Sequence, residues 1–165
     1  MTRARIVCAV ILLSLFLVAG GQSNTAANGR NAPTDDEGVG NVLAGIVAAD
    51  NAGDLDGVVS FYAEDAILLP PNDVPVTGKA AIRSRYEEGF RSFRFDIAFS
   101  SDEMQLFGEW AFIRGTIHGK TIPKGASSSR ILNDKFIMVL HHQENGWKIA
   151  RLIWNESDPL PKTSS

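Results

Sequence analysis

The hydrophobic positions of this chain change their spacing part-way along it. Val39, Val42, Leu43, Ile46 and Val47 recur at helical spacing behind a capping-box pattern of Thr34 with Glu37, and the run ends at Asn51-Ala52-Gly53. That pattern predicts an amphipathic helix. Asp54 is placed to cap a second, shorter helix with Leu55, Val58, Val59 and Tyr62 on one face, and Ala66-Ile67-Leu68-Leu69 then reads as a strand stopped by Pro70 and Pro71. Beyond a loop rich in Pro and Asp, and after Gly78, the residues Ala81, Ile82, Tyr86 and Phe90 predict a third helix. From Arg94 the period is two. Phe95, Ile97 and Phe99 alternate with polar neighbours, Trp110 to Ile113 continue past a turn near Gly108, and residues 131–142 face 147–155 across Asn145-Gly146, a preferred hairpin turn. A further hairpin is expected around Lys124-Gly125, with Ser127 to Ser129 in its loop. Helices followed by antiparallel strands make an α+β domain. A curved antiparallel sheet with three helices on one face leaves an open end, and such apolar openings hold small molecules.

The ends of the chain read differently. Arg3 and Arg5 precede an apolar run from Ile6 to Ala19 and the small residues Gly20 and Gly21, the layout of a secretory signal. The run is shorter than the roughly 20 residues that span a membrane. We therefore expect a signal peptide over 1–21, a flexible leader over 22–33, the folded domain over 34–158 and a short tail over 159–165. The protein is then exported, periplasmic or secreted, without membrane attachment once the signal is cleaved. Cys8 is the only cysteine and lies inside the signal, so packing alone must stabilise the exported domain. A hydrophobic content of 44% suits one domain with a core, and the net charge of −3, without a basic block, excludes nucleic acid as partner.

The stretch Asn51-Ala52-Gly53-Asp54-Leu55-Asp56-Gly57, then Phe61-Tyr62-Ala63-Glu64-Asp65-Ala66, then Gly78-Lys79-Ala80-Ala81-Ile82-Arg83, resembles the SnoaL-like and ketosteroid isomerase-related proteins of the nuclear transport factor 2-like superfamily. The final hairpin, from Asp134-Lys135-Phe136 through Gly146-Trp147-Lys148 to Ile153-Trp154-Asn155, resembles the same group. The resemblance implies a cone-shaped fold, also termed cystatin-like, with pairing of two copies through the convex face of the sheet. It also implies where an isomerase would hold its machinery. The position of the tyrosine that donates to the oxyanion falls on Ile46, and that of the proton-moving aspartate on Pro70. Neither supplies that chemistry. Asp134 falls near the position of the second, protonated aspartate.

Alternation puts Asp134 on one strand face with Phe136, Met138 and Leu140. Buried there, it would serve as a cavity acid or base; at the strand's mouth it would only bond a neighbouring group in water. Tyr62, Leu69, Tyr86, Trp110, His118 and Trp154 are the candidate ligand-binding residues. Two functions of different class stay open. One is noncatalytic binding of a small, largely apolar molecule. The other is an isomerase, cyclase or hydratase that uses Asp134 with a partner such as Tyr62 or His118. No cofactor is expected in either. No metal site is expected, because His141 and His142 are adjacent in a strand and point to opposite faces. The strands Trp110 to Ile117 and Phe136 to Leu140 are apolar on both faces, which predicts a homodimer. Export has a direct test: intact-mass analysis of the secreted or periplasmic protein should place its N-terminus beyond Gly20, and full-length protein confined to the cytosol would refute it.

Overall fold

A computed structural model describes residues 35–157. The expected signal peptide, leader, Thr34 cap and C-terminal tail lie outside the described residues. The elements are helices α1 (Asp35–Ala52), α2 (Leu55–Ser60) and α3 (Lys79–Ser92), the short strands β1 (Tyr62–Leu69) and β2 (Val76–Thr77), and the long strands β3 (Phe93–Phe107), β4 (Trp110–Pro123), β5 (Arg130–Gln143) and β6 (Gly146–Glu156). They build one six-stranded sheet in the order β2-β1-β6-β5-β4-β3. All neighbours are antiparallel except β1 with β6, which run parallel. Tyr62 is the first residue of β1 and not the last of the second helix, because Phe61 already caps α2.

The helix α1 buries the stripe Val39, Val42, Ile46, Ala49 and Asp50. Small residues on it admit large rings from elsewhere: a Cβ at Gly38 would stand 2.8 Å from the Trp147 indole, and one at Gly45 would overlap the Phe61 ring. At its C-terminal end Asn51 acts as a strand would. Its side-chain N–H donates to the Ile97 carbonyl at 2.8 Å, and its side-chain oxygen accepts from the Ile97 N–H at 2.8 Å. Since β3 is an edge strand, these are backbone groups that no neighbouring strand can satisfy. The side chain of Asp54 then caps α2 by accepting from Gly57 N–H at 2.9 Å.

The core lies between helices and sheet, where Ile113, Met138, Leu140 and Ile149 are fully enclosed. The strands are too long to stay flat. Register shifts that leave Asp102 of β3 unpaired between Ser101 and Glu103, and Ala150 of β6 unpaired opposite Val139 and Leu140, mark where the ladder bends. Gly115 serves that region: Phe136 is its cross-strand partner and lays its ring over it, and the Phe99 ring packs tilted against Phe136 at 5.1 Å between centroids. A methyl group at Gly115 would meet the Ser100 carbonyl and stand 2.8 Å from the Phe136 ring. Gly115→Ala is therefore expected to lower stability by about 1–3 kcal/mol through overpacking, read as a lower urea midpoint with an unchanged slope.

Candidate functional site

Strand alternation and the end of α1 together decide what faces the open end. Phe95, Ile97 and Phe99 of β3, and Ile117 and Thr121 of β4, point to the same side of the sheet, as do Leu132 and Asp134 of β5 and Leu152 and Trp154 of β6. Leu68 of β1, Tyr86 and Gly89 of α3 and Asp50 of α1 complete the wall around a cavity of about 810 Å³. Its mouth is braced by exposed ion pairs, Arg85 with Asp73 at 2.8 Å and Arg130 with Glu156.

Two carboxyl groups are buried in this wall, Asp50 at 6% exposure and Asp134 at 5%. Asp134 sits beside Ile117 on one neighbouring strand and Glu156 on the other. Asp50 stands one helical turn beyond the enclosed Ile46, and burial pushes its pKa up from 3.8 to about 7. The side chain of Asp50 has no hydrogen-bond or ion-pair partner among the described residues. Beside it lies a pair of phenols: Tyr62 and Tyr86 share a hydrogen bond at 2.9 Å between their oxygens. Burial raises the pKa of both, and the nearby Asp50 charge adds to that rise, so both stay protonated across ordinary pH.

Of the residues singled out in the sequence, Asp134, Tyr86 and Trp154 meet at the cavity. Tyr62 stands behind the wall, enclosed and joined to Tyr86. Leu69, Trp110 and His118 do not line it. Counting β1 from Tyr62 turns Leu68 inward and Leu69 away. Trp110 lies at the far end of β4, 44% exposed and stacked on His141 at 4.2 Å, while His118 is exposed on the opposite face from Ile117. Asp50 was missed, although its signal was present: it is the one carboxylate on the buried stripe of α1, four residues after Ile46. Phe95, Ile97 and Phe99 were legible as an alternating strand but not as a cavity wall.

Residues 43–152 match the family model described as a SnoaL-like domain. Among solved structures, a ketosteroid isomerase-like protein from Erwinia carotovora atroseptica superposes with a TM-score of 0.68 at 23% identity, covering 74% of this chain and 96% of that one. A candidate scytalone dehydratase from Novosphingobium aromaticivorans gives a TM-score of 0.69 at 12% identity, covering 75% and 85%. A domain of unknown function with a cystatin-like fold from Nostoc punctiforme gives 0.63 at 16% identity, covering 78% and 81%. At these identities the likeness establishes the fold, a curved, unclosed sheet under N-terminal helices.

The raised pKa of Asp50 has a consequence for stability. The folded state holds this proton more tightly than the unfolded chain, so the contribution is full below pH 3.8 and is lost as pH rises through about 7. The span corresponds to at most about 4 kcal/mol. Asp50→Asn, which keeps the shape without the charge, should raise the melting temperature clearly at about pH 8 and little at about pH 4, and an equal effect at both would contradict the assignment.

Proposed function

We propose that this chain, which belongs to the SnoaL-like domain family, is an exported protein that binds a small, largely apolar molecule in the cavity beneath α1 and α3. The observation that carries this reading is the wall itself. Phe95, Ile97, Phe99, Ile117, Leu132, Leu152 and Trp154 supply a hydrocarbon and aromatic surface, with Asp50 and Asp134 set into it and the paired Arg85, Asp73, Arg130 and Glu156 at its mouth. Such a wall gains affinity in proportion to the apolar area it removes from water, and the buried polar groups fix orientation. Export rests on the N-terminal pattern of Arg3, Arg5 and the apolar run that follows.

Acid-base chemistry in the same cavity is the second reading, of isomerase, cyclase or hydratase type. The buried Asp134 supports it, and so does Asp50 with a pKa near neutrality, since a group that titrates near the working pH exchanges protons most effectively. Ketosteroid isomerisation itself is not supported. Ile46 is sealed in the core and Pro70 has no ionisable group, so the positions that would supply oxyanion donor and base are empty of both. Titration with a Δ5-3-ketosteroid, followed by tryptophan fluorescence, is expected to saturate and to weaken about tenfold in Ile117→Phe, which fills the cavity. Quenching that never saturates would refute binding. Isomerisation should be slower than that of an authentic isomerase by at least about 10⁴, the product of a lost oxyanion donor and a lost base.

The convex face supports a homodimer. Ile137 and Ile153 are cross-strand partners there, 39% and 40% exposed, beside the exposed Trp110 farther along the sheet. Adjacent exposed β-branched residues on a sheet face favour a covering partner. Light scattering should give twice the mass of the mature chain, and the double variant Ile137→Lys, Ile153→Lys should give the mass of one; a wild-type monomer at micromolar concentration would refute the dimer.

A further inference from the structure

The cavity carries charge of one sign without its complement. Asp50, Asp73, Glu88, Asp134 and Glu156 stand in its wall or at its mouth, against only Arg85 and Arg130. Both arginines are held at the rim, Arg85 by Asp73 and Arg130 by Glu156. No cation is therefore left for the interior. The two buried carboxyl groups differ in how they are held. Asp134 is engaged with the protein around it, and one of its oxygens is sealed from water. Asp50, 6% exposed, lines the cavity with no hydrogen-bond or ion-pair partner among the described residues, and burial lifts its pKa to about 7. A carboxyl in that state lacks a counter-charge, and a cation placed beside it lets it ionise.

We infer that the cavity takes an organic cation, a protonated amine carried on an apolar ring system, with its ammonium group between the Asp50 carboxylate and the Tyr86 ring. The inference rests on the cavity being a ligand site, as proposed above, and adds the ligand's charge and chemical class. Tyr86 is close enough to Asp50 to feel its charge, and its ring leads to Phe90 at 5.7 Å and on to Phe95 at 5.8 Å between centroids. The faces of such rings attract an ammonium, most strongly where water is excluded. The ammonium donates its N–H bonds to Asp50, while Phe95, Phe99 and Trp154 cover the ring system. An anion would instead meet carboxyl groups that no interior cation balances. A metal ion is not the cation that fits, since no group of at least three His, Cys, Asp or Glu among the described residues could hold one. A hydrocarbon of the same shape gains the apolar contacts but leaves Asp50 without a partner.

The test compares 2-(naphthalen-2-yl)ethylamine with 2-propylnaphthalene, in which a methyl group replaces the ammonium, by equilibrium dialysis against the mature protein at about pH 5.5 and about pH 8.5. The amine stays protonated at both, as lysine does with its pKa of about 10.4, so a change with pH reports the protein. Asp50 is protonated at the lower value and ionised at the higher. The amine should therefore bind at least about tenfold more tightly at the higher pH. The hydrocarbon, which strips water from the carboxylate, should bind no more tightly there than at the lower pH. The titratable groups facing Asp50 from other elements are Tyr62 on β1, Asp73 in the loop after it, Arg85, Tyr86 and Glu88 on α3, Arg130 and Asp134 on β5 and Glu156 on β6; among the lining residues, α2, β3 and β4 present none. Asp50→Asn should abolish the rise and weaken the amine at least about tenfold at the higher pH, with hydrocarbon affinity retained as the sign of an intact cavity. Glu88→Gln should keep the rise. The inference alone is overturned if the wild-type affinity for the amine does not rise with pH, if the rise survives Asp50→Asn but is lost in Asp134→Asn, or if the hydrocarbon binds and the amine is excluded at both pH values. Binding of neither molecule would overturn the cavity reading and this inference with it.

Discussion

The fold depends on how α1 is held against the free edge of the sheet. Among the described residues, Asn51 is the side chain that completes the hydrogen bonding of the edge strand β3 at Ile97, with both bonds at 2.8 Å. An unpaired strand edge invites association with other chains, and a side-chain amide that mimics a peptide group closes it locally. The same contact sets the helix's rotation. With Asn51 turned to the edge, the preceding residue must face inward, so the Asp50 carboxyl enters the cavity as a consequence of how the edge is satisfied.

Holding α1 there creates an environment that the rest of the site inherits. The helix seals Ile46 and Val42 into the core and brings the carboxyl of Asp50 out of water without a cation to compensate. Desolvation acts on Asp50, Tyr62 and Tyr86 alike, keeping all three neutral near neutral pH or below it. The exposed ion pairs at the mouth, Arg85 with Asp73 and Arg130 with Glu156, contribute little to stability but hold both arginines at the rim.

Sheet curvature divides the molecule's two faces by role. The bulges in β3 and β6, and the glycine that admits the Phe136 ring, bend the long strands so that one face encloses the core and cavity. The other face is left with Ile137 and Ile153 in the open. Apolar side chains on both faces of β5 follow from this division: odd-numbered residues meet a second layer only if another molecule supplies it.

Much of this was legible along the chain, for a physical reason. Helix and strand impose periods of 3.6 and 2 on neighbouring residues, so α1, α3 and the long hairpins could be read from Val39, Val42 and Ile46, or from Phe95, Ile97 and Phe99, without knowing what they pack against. The buried face of Asp134 followed from the same rule, with Phe136, Met138 and Leu140 beside it. What tertiary structure alone decided depends on contacts between distant residues. Tyr62 and Tyr86 are 24 residues apart and on different elements, yet one hydrogen bond joins their hydroxyls. Whether Leu68 or Leu69 faced inward depended on where β1 began, and a one-residue change reverses every side chain. The pKa of Asp50 was set by water excluded from it by its surroundings, a quantity with no local period. Sequence determined which elements form; packing determined which of their polar groups are left without water, and that is where the candidate chemistry lies.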